Sequence, residues 1–207
     1  MANKNGNIYG LTILSPIKQD AAAPVSPSLE LRKYLHELCA HERSPFARIR
    51  DVHMARLVVM DDVVFEGSPS HEEHLRYKYL VFEANFDGDL EPFLRKMLDA
   101  AREEVGQIWR HCEGFPGTAD PDKFIEYMKK CQLETTFYFV DVNDKTVPQT
   151  LKALQTQSAV AAFIQKHQGA TGGGLREAFR QFSKELAAAK TPHPASVRGR
   201  EFTGQLV

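Results

Sequence analysis

The chain has no surplus of either charge: 26 lysines and arginines stand against 27 aspartates and glutamates, leaving a net −1 over 207 residues. A nucleic-acid surface needs a cationic excess, so no nucleic-acid partner is expected. Cysteine is scarce too. Cys39, Cys112 and Cys131 are widely spaced and no CxxC occurs, which excludes a disulfide framework and points to a reducing, cytoplasmic setting. No run of about 18 apolar residues appears, and the opening MANKNGNIYG lacks an apolar leader core, so no membrane partner is expected. Gly169–Gly174 (GATGGG) has neither a strand leading into it nor a following Lys-Ser/Thr, which argues against a nucleotide loop. His71-Glu72-Glu73-His74 lacks the helical H-E-x-x-H spacing and reads as solvated loop.

What is present is a core. Hydrophobic residues make up 43% of the chain, and one stretch from Lys78 to Gly117 organises them. Leu80, Phe82, Ala84 and Phe86 alternate as one face of a strand spanning Tyr77–Asn85. Asp87-Gly88 is turn chemistry, and Asp89 suits a helix N-cap. Phe93, Met97, Ala101, Val105 and Ile108 then recur at three- and four-residue steps, the sheet-facing stripe of a helix that ends by Gly114.

The rest supplies partners. Ile8–Leu14 reads as a first strand ended by Pro16, and Ser26-Pro27 opens a helix with Leu31, Leu35 and Leu38 inward. Phe46–Asp51 is a connector, His53–Met60 a second strand, and Gly67–His74 a polar loop. Asp120-Pro121 starts a short helix with Phe124, Ile125 and Met128 inward, and Thr135–Val142 is rich in strand-forming residues. This order predicts an α+β fold: a ferredoxin-like βαββαβ antiparallel sheet with helices on one face, plus C-terminal helices. Tyr79, Val81, Tyr138 and Val140 fall on the second sheet face, whose exposure calls for a partner sheet. Thr146 and Gln149 form a capping box opening a helix with Leu151, Leu154, Val160, Phe163 and Ile164 as its apolar positions. A glycine-rich hinge follows, then an amphipathic helix over Leu175–Lys190 with Phe179, Phe182 and Leu186, and an extended tail. The expected division is therefore 1–168 for the α+β domain with its added helix, and 169–207 for hinge, helix and tail.

Three places in the chain have the chemistry of a site. His111-Cys112, at the exit of the central helix beside Trp109, combines two residue types that ligate metals and haem iron. A helix C-terminus raises a histidine's pKa. The plainer alternative is that His111 caps helix carbonyls while Cys112 packs as a small apolar residue. Arg56, on an otherwise apolar strand, needs a carboxylate or an anionic ligand; Glu83 and Asp87 are the protein's own candidates. His53 and Arg56 point to opposite faces unless a bulge intervenes. Asn85 and Asp87 lie at a strand end where polar groups reach a cavity mouth, with a turn and helix cap as the ordinary alternative.

The order of elements resembles the dimeric α+β barrel superfamily, which includes dye-decolorising peroxidases, chlorite dismutase-like haem proteins and small cofactor-independent monooxygenases. HMAR at His53–Arg56, FEANFDG at Phe82–Gly88 and W-x-x-C-E-G-F-P at Trp109–Pro116 resemble segments of bacterial proteins as well. The resemblance implies a homo-oligomer whose sheets pack face to face. It also implies a small-molecule enzyme that is either haem-dependent and oxidative or cofactor-free. For a haem enzyme, His111 is the metal ligand, with Trp109 and Arg56 binding the cofactor. His111, Arg56, Asn85 and Asp87 are the catalytic candidates. The G-x-x-D-G signature of dye-decolorising peroxidases is absent, since Asn85-Phe86-Asp87-Gly88 keeps only the DG pair. A non-catalytic, oligomerising accessory module is the alternative function.

Overall fold

The computed structural model describes residues 3–20, 22–40, 44–64, 67 and 74–192. Its strands are β1 (Lys4–Asn5), β2 (Ile8–Pro16), β3 (Val52–Met60) and β4 (Tyr79–Asp87), joined in one antiparallel sheet of order β1–β2–β4–β3. The helices are α1 (Pro27–Ala40), α2 (Leu90–Trp109), α3 (Pro121–Lys130), α4 (Val147–Lys166) and α5 (Gly172–Ala188), with a 3-10 turn at Pro45–Arg48. The chain is α+β, as expected. None of the described helices is long and apolar enough to cross a membrane. His41, His71 and the tail beyond residue 192 lie outside the described residues.

β4 is the spine. Phe82 sits at its centre, opposite Ile13 of β2 on one side and Leu57 of β3 on the other. Both neighbours run antiparallel to β4, so β2 and β3 are parallel to each other with β4 between them, and α1 makes the crossover. The expected stripe of α2 is buried throughout: Phe93, Met97, Ala101, Val105 and Ile108 all face the sheet. Phe93 stacks on Phe86 at 3.7 Å, and Trp109 meets Phe82 edge-on at 5.4 Å. Burying each such side chain stabilises the fold by about 1.5–3 kcal/mol. α3 adds Phe124, Ile125 and Met128 to the same core, and Asp120 caps it by accepting from the Asp122 and Lys123 N–H groups. Asp89 occupies the N-cap position of α2 but makes no side-chain cap; its carboxylate pairs with Lys4 instead.

The expected closing strand over Thr135–Val142 does not form. Its place on the β2 edge is taken by β1, which folds back through Gly6 at φ 59° and pairs with Ile8 and Tyr9. The chain leaving α3 starts along that edge: Leu14 N–H donates to the Cys131 carbonyl at 2.8 Å, and Leu133 N–H to the Thr12 carbonyl at 2.9 Å. It then meets β1 and leaves the ladder. From there side chains hold it, together with the Asn7 N–H, which donates to the Asn143 carbonyl at 2.9 Å. Asn3 donates to Thr135 Oγ1 at 3.1 Å, Asn5 to the Tyr138 carbonyl at 3.3 Å, and Asn143 to Asn5. The strand-like alternation survives without a ladder, with Tyr138 turned onto the sheet and Phe137 and Phe139 exposed.

α4 has the expected capping box at Thr146 and Gln149. Its apolar positions differ from expectation, because Val147 is its single buried residue and α5 buries none. α5 starts at Gly172, inside the glycine run that reads as a hinge in the sequence.

Candidate functional site

His111 and Trp109 belong to the core. The residues after α2 are stitched to the chain beyond β2: Lys18 N–H donates to the His111 carbonyl at 2.9 Å, and Glu113 N–H to the Pro16 carbonyl at 2.8 Å. This leaves His111 only 5% exposed, with Nε2 accepting from Arg110 Nε at 3.2 Å and Nδ1 3.8 Å from Glu30. Burial first, then the Arg110 charge, hold its pKa below the ordinary histidine value against an upward pull from Glu30, with Lys18 adding a smaller downward one. The expected helix-end elevation is overridden by desolvation. Burial pushes the Cys112 thiol up to about 12, so it packs as a thiol rather than serving as a thiolate. Trp109 is fully buried, and its Nε1–H finds no acceptor among the described residues.

These residues do not fit a haem. Both ring nitrogens of the buried His111 face charged side chains of the protein, Glu30 and Arg110, Trp109 is sealed, and Arg56 lies across the sheet from both. No three His, Cys, Asp or Glu side chains gather as a metal-ligand set among the described residues.

A neutral buried histidine carries a pH signature. Its unfolded-state pKa, about 6.5, lies above the folded one, so below that pH the unfolded chain binds more protons and stability falls. Full stability from this group is present above about pH 6.5 and is lost as pH drops towards the folded value. We expect the urea midpoint to fall between pH 7.5 and pH 5, and His111→Gln to flatten that slope. An unchanged slope would assign the pH dependence elsewhere.

The polar groups that do converge lie on the sheet face away from the helices. The register shifts between Val52 and Met54, a bulge that leaves His53 without a strand partner and swings its ring towards Asp87. His53 and Arg56 therefore share one face, which simple alternation denies. His53 Nε2–H donates to Asp87 Oδ1 at 2.9 Å, and the Val147 N–H, first in α4, donates to Asp87 Oδ2 at 2.8 Å. The Asp87 side chain is 10% exposed and the His53 ring 25%. One buried carboxylate thus fixes both an imidazole and a helix start. Two residues back on β4, Asn85 Oδ1 accepts from Tyr138 Oη at 3.0 Å. Burial raises the Tyr138 pKa, which keeps its hydroxyl protonated as a donor. Arg56 pairs with Glu83 directly across the strands. At 62% exposure Arg56 is not the buried cation the sequence suggests, and the pair contributes about 1 kcal/mol or less.

Of the sequence candidates, Arg56, Asn85 and Asp87 come together on this face, while His111 and Trp109 lie on the other side of the sheet. Tyr138, expected on this second face as part of a strand, does lie over it, but from a segment that forms no ladder. Gly10 is the signal that finds it, a glycine inside a strand marking close approach: a Cβ there stands 2.7 Å from the Tyr138 ring.

No protein-family model, curated protein or solved structure matches the chain.

Proposed function

We propose that the protein is a cofactor-free enzyme that moves a proton on a small, largely apolar molecule at the open sheet face. The observation that supports this reading is the His53–Asp87 pair. With Nε2–H committed to the Asp87 carboxylate, Nδ1 is left as the ring nitrogen with a lone pair to accept a proton. Asn85 and the Tyr138 hydroxyl, a few residues away on the same face, are uncharged polar groups suited to orienting a substrate oxygen. In this reading the β2–α1–β3–β4–α2 unit is a ferredoxin-like half. Its open face, where Met54 and Val58 are exposed, is covered by the sheet of a second copy, as in α+β barrels.

The test is exchange of an acidic C–H. In D2O, the central protons of a 1,3-diketone exchange at a rate followed by proton NMR. The protein is expected to accelerate exchange beyond buffer by about 100-fold or more, and His53→Gln to remove that acceleration. Equal rates for the two proteins would overturn the reading. So would a Soret band in protein expressed with haem precursor that disappears in His111→Ala.

A second reading, a non-catalytic oligomerising module, is favoured by a different feature: a helical hairpin that buries almost nothing of its own. Here Asp87 is a clamp joining the β3 bulge to the start of α4. Ring orientation without any exchange activity is its signature.

A further inference from the structure

α4 and α5 form a hairpin closed at both ends. Near the turn, Phe163 stacks on Phe182 at 4.7 Å and on His167 at 4.3 Å. At the base, Lys152 Nζ donates to the Ala189 carbonyl at 2.7 Å and to the Leu186 carbonyl at 3.3 Å, satisfying the open end of α5. The seam uses the half-buried positions Ala159 and Phe163 against Ala178 and Phe182. That accounts for one face of each helix. α4 has a second apolar face, on which Leu154, Val160 and Ile164 are exposed, the last at 59%.

Helical spacing sorts the two broad sides of the hairpin. Lys166, Gln181 and Glu185 line a cleft of about 360 Å³ on one side. Val160 and Ile164 come up on the other side, together with Phe179, which is 55% exposed. The cleft side is mixed, with Ala162 beside Lys166 and Glu185, while Val160, Ile164 and Phe179 on the other side carry no charge. Two helices joined by a single seam are marginal in water, because most helical stability comes from burying an apolar face in tertiary packing.

We infer that this apolar side pairs with the same side of a second copy, making a four-helix bundle across a twofold axis. Two properties select a second copy as the occupant. The first is charge: no charged residue lies between Lys152 and Lys166. A twofold contact sets a patch against itself, so any charge at its centre repels its own copy, and the α4 part of this patch has none. The second is area. The 20-residue α4 is about 30 Å long and the 17-residue α5 about 25 Å, and each is about 10 Å across, offering about 550 Å² per copy and about 1,100 Å² in all. That reaches the lower bound of a stable interface. Arg176 and Arg180, on α5 beyond Phe179, form a charged rim. The inference stands apart from the proton-transfer reading, since it uses no residue of the sheet face.

The experiment is light scattering coupled to size exclusion on the full chain at about 50 μM. Wild type is expected to run as an even multiple of the chain mass, and Val160→Glu/Ile164→Glu to run at half the wild-type mass. Its dissociation constant should rise by about 100-fold or more, because each interface would bury unpaired carboxylates. Val160→Gln/Ile164→Gln, which adds no charge, gives a smaller shift in the same direction if the glutamate pair unfolds. Val160→Ile/Ile164→Leu keeps the wild-type mass. A monomeric wild type, or equal mass for wild type and both polar variants when circular dichroism shows them folded, overturns the inference.

Discussion

Asp87→Asn is expected to reduce proton-exchange activity by about 100- to 10,000-fold while leaving a folded protein. The carboxylate accepts two donors, His53 Nε2–H on Oδ1 and Val147 N–H on Oδ2. An amide has one accepting oxygen and one donating nitrogen, so it serves only one of them. If its oxygen keeps Val147, its NH2 faces Nε2 and forces the imidazole proton onto Nδ1, which removes the base. If its oxygen keeps His53, the start of α4 loses its partner. Either way the remaining bonds are no longer made to a charged group, at a cost of about 1.5–3 kcal/mol of stability. Nitrogen-15 NMR of the His53 ring reads the tautomer directly, and urea unfolding reads the stability. An unchanged tautomer together with unchanged exchange would remove Asp87 from the chemistry.

Gly10→Val is expected to destabilise the fold by about 1–3 kcal/mol, although valine suits a strand better than glycine does. Gly10 pairs with Asn85 in the ladder, and its backbone is not in the left-handed region, so the strand itself tolerates a side chain. The obstruction is Tyr138, whose Cε2, Cδ2 and Cζ atoms stand 2.7–2.9 Å from a Cβ at position 10. The valine pushes the ring off the sheet and breaks its hydrogen bond to Asn85. Truncating the ring should relieve the clash, so Tyr138→Ala in the Gly10→Val background is expected to cost less than Tyr138→Ala alone. A coupling of about 0.5–3 kcal/mol in the double-mutant cycle checks this, and strict additivity would refute it.

How far the fold was legible follows from what each feature depends on. The α2 stripe from Phe93 to Ile108, the Asp120 cap and the Thr146–Gln149 box depend on residues three or four apart, and all formed where the spacing put them. β1 went unread: Asn5-Gly6 ahead of the Ile8 strand suits a tight turn, but nothing that local says it will take the β2 edge from the strand-like run at Thr135–Val142. The His53 bulge carries no composition cue: the same residues in register would place His53 and Arg56 on opposite faces.

By itself the sequence determined the elements: helix periodicity, caps and strand alternation act over a few residues, and each segment carries its own apolar face wherever it ends up. Only the tertiary structure decided which segment won the edge of β2, because that edge offers one row of hydrogen-bonding groups and β1 reaches it across a single tight turn. The same competition sent Tyr138 over Gly10, and a one-residue slip in β3 brought His53 to Asp87. Contacts between residues 34 to 138 positions apart, such as His53 with Asp87 or Asn143 with Asn5, depend on who pairs with whom, and no local pattern records that choice.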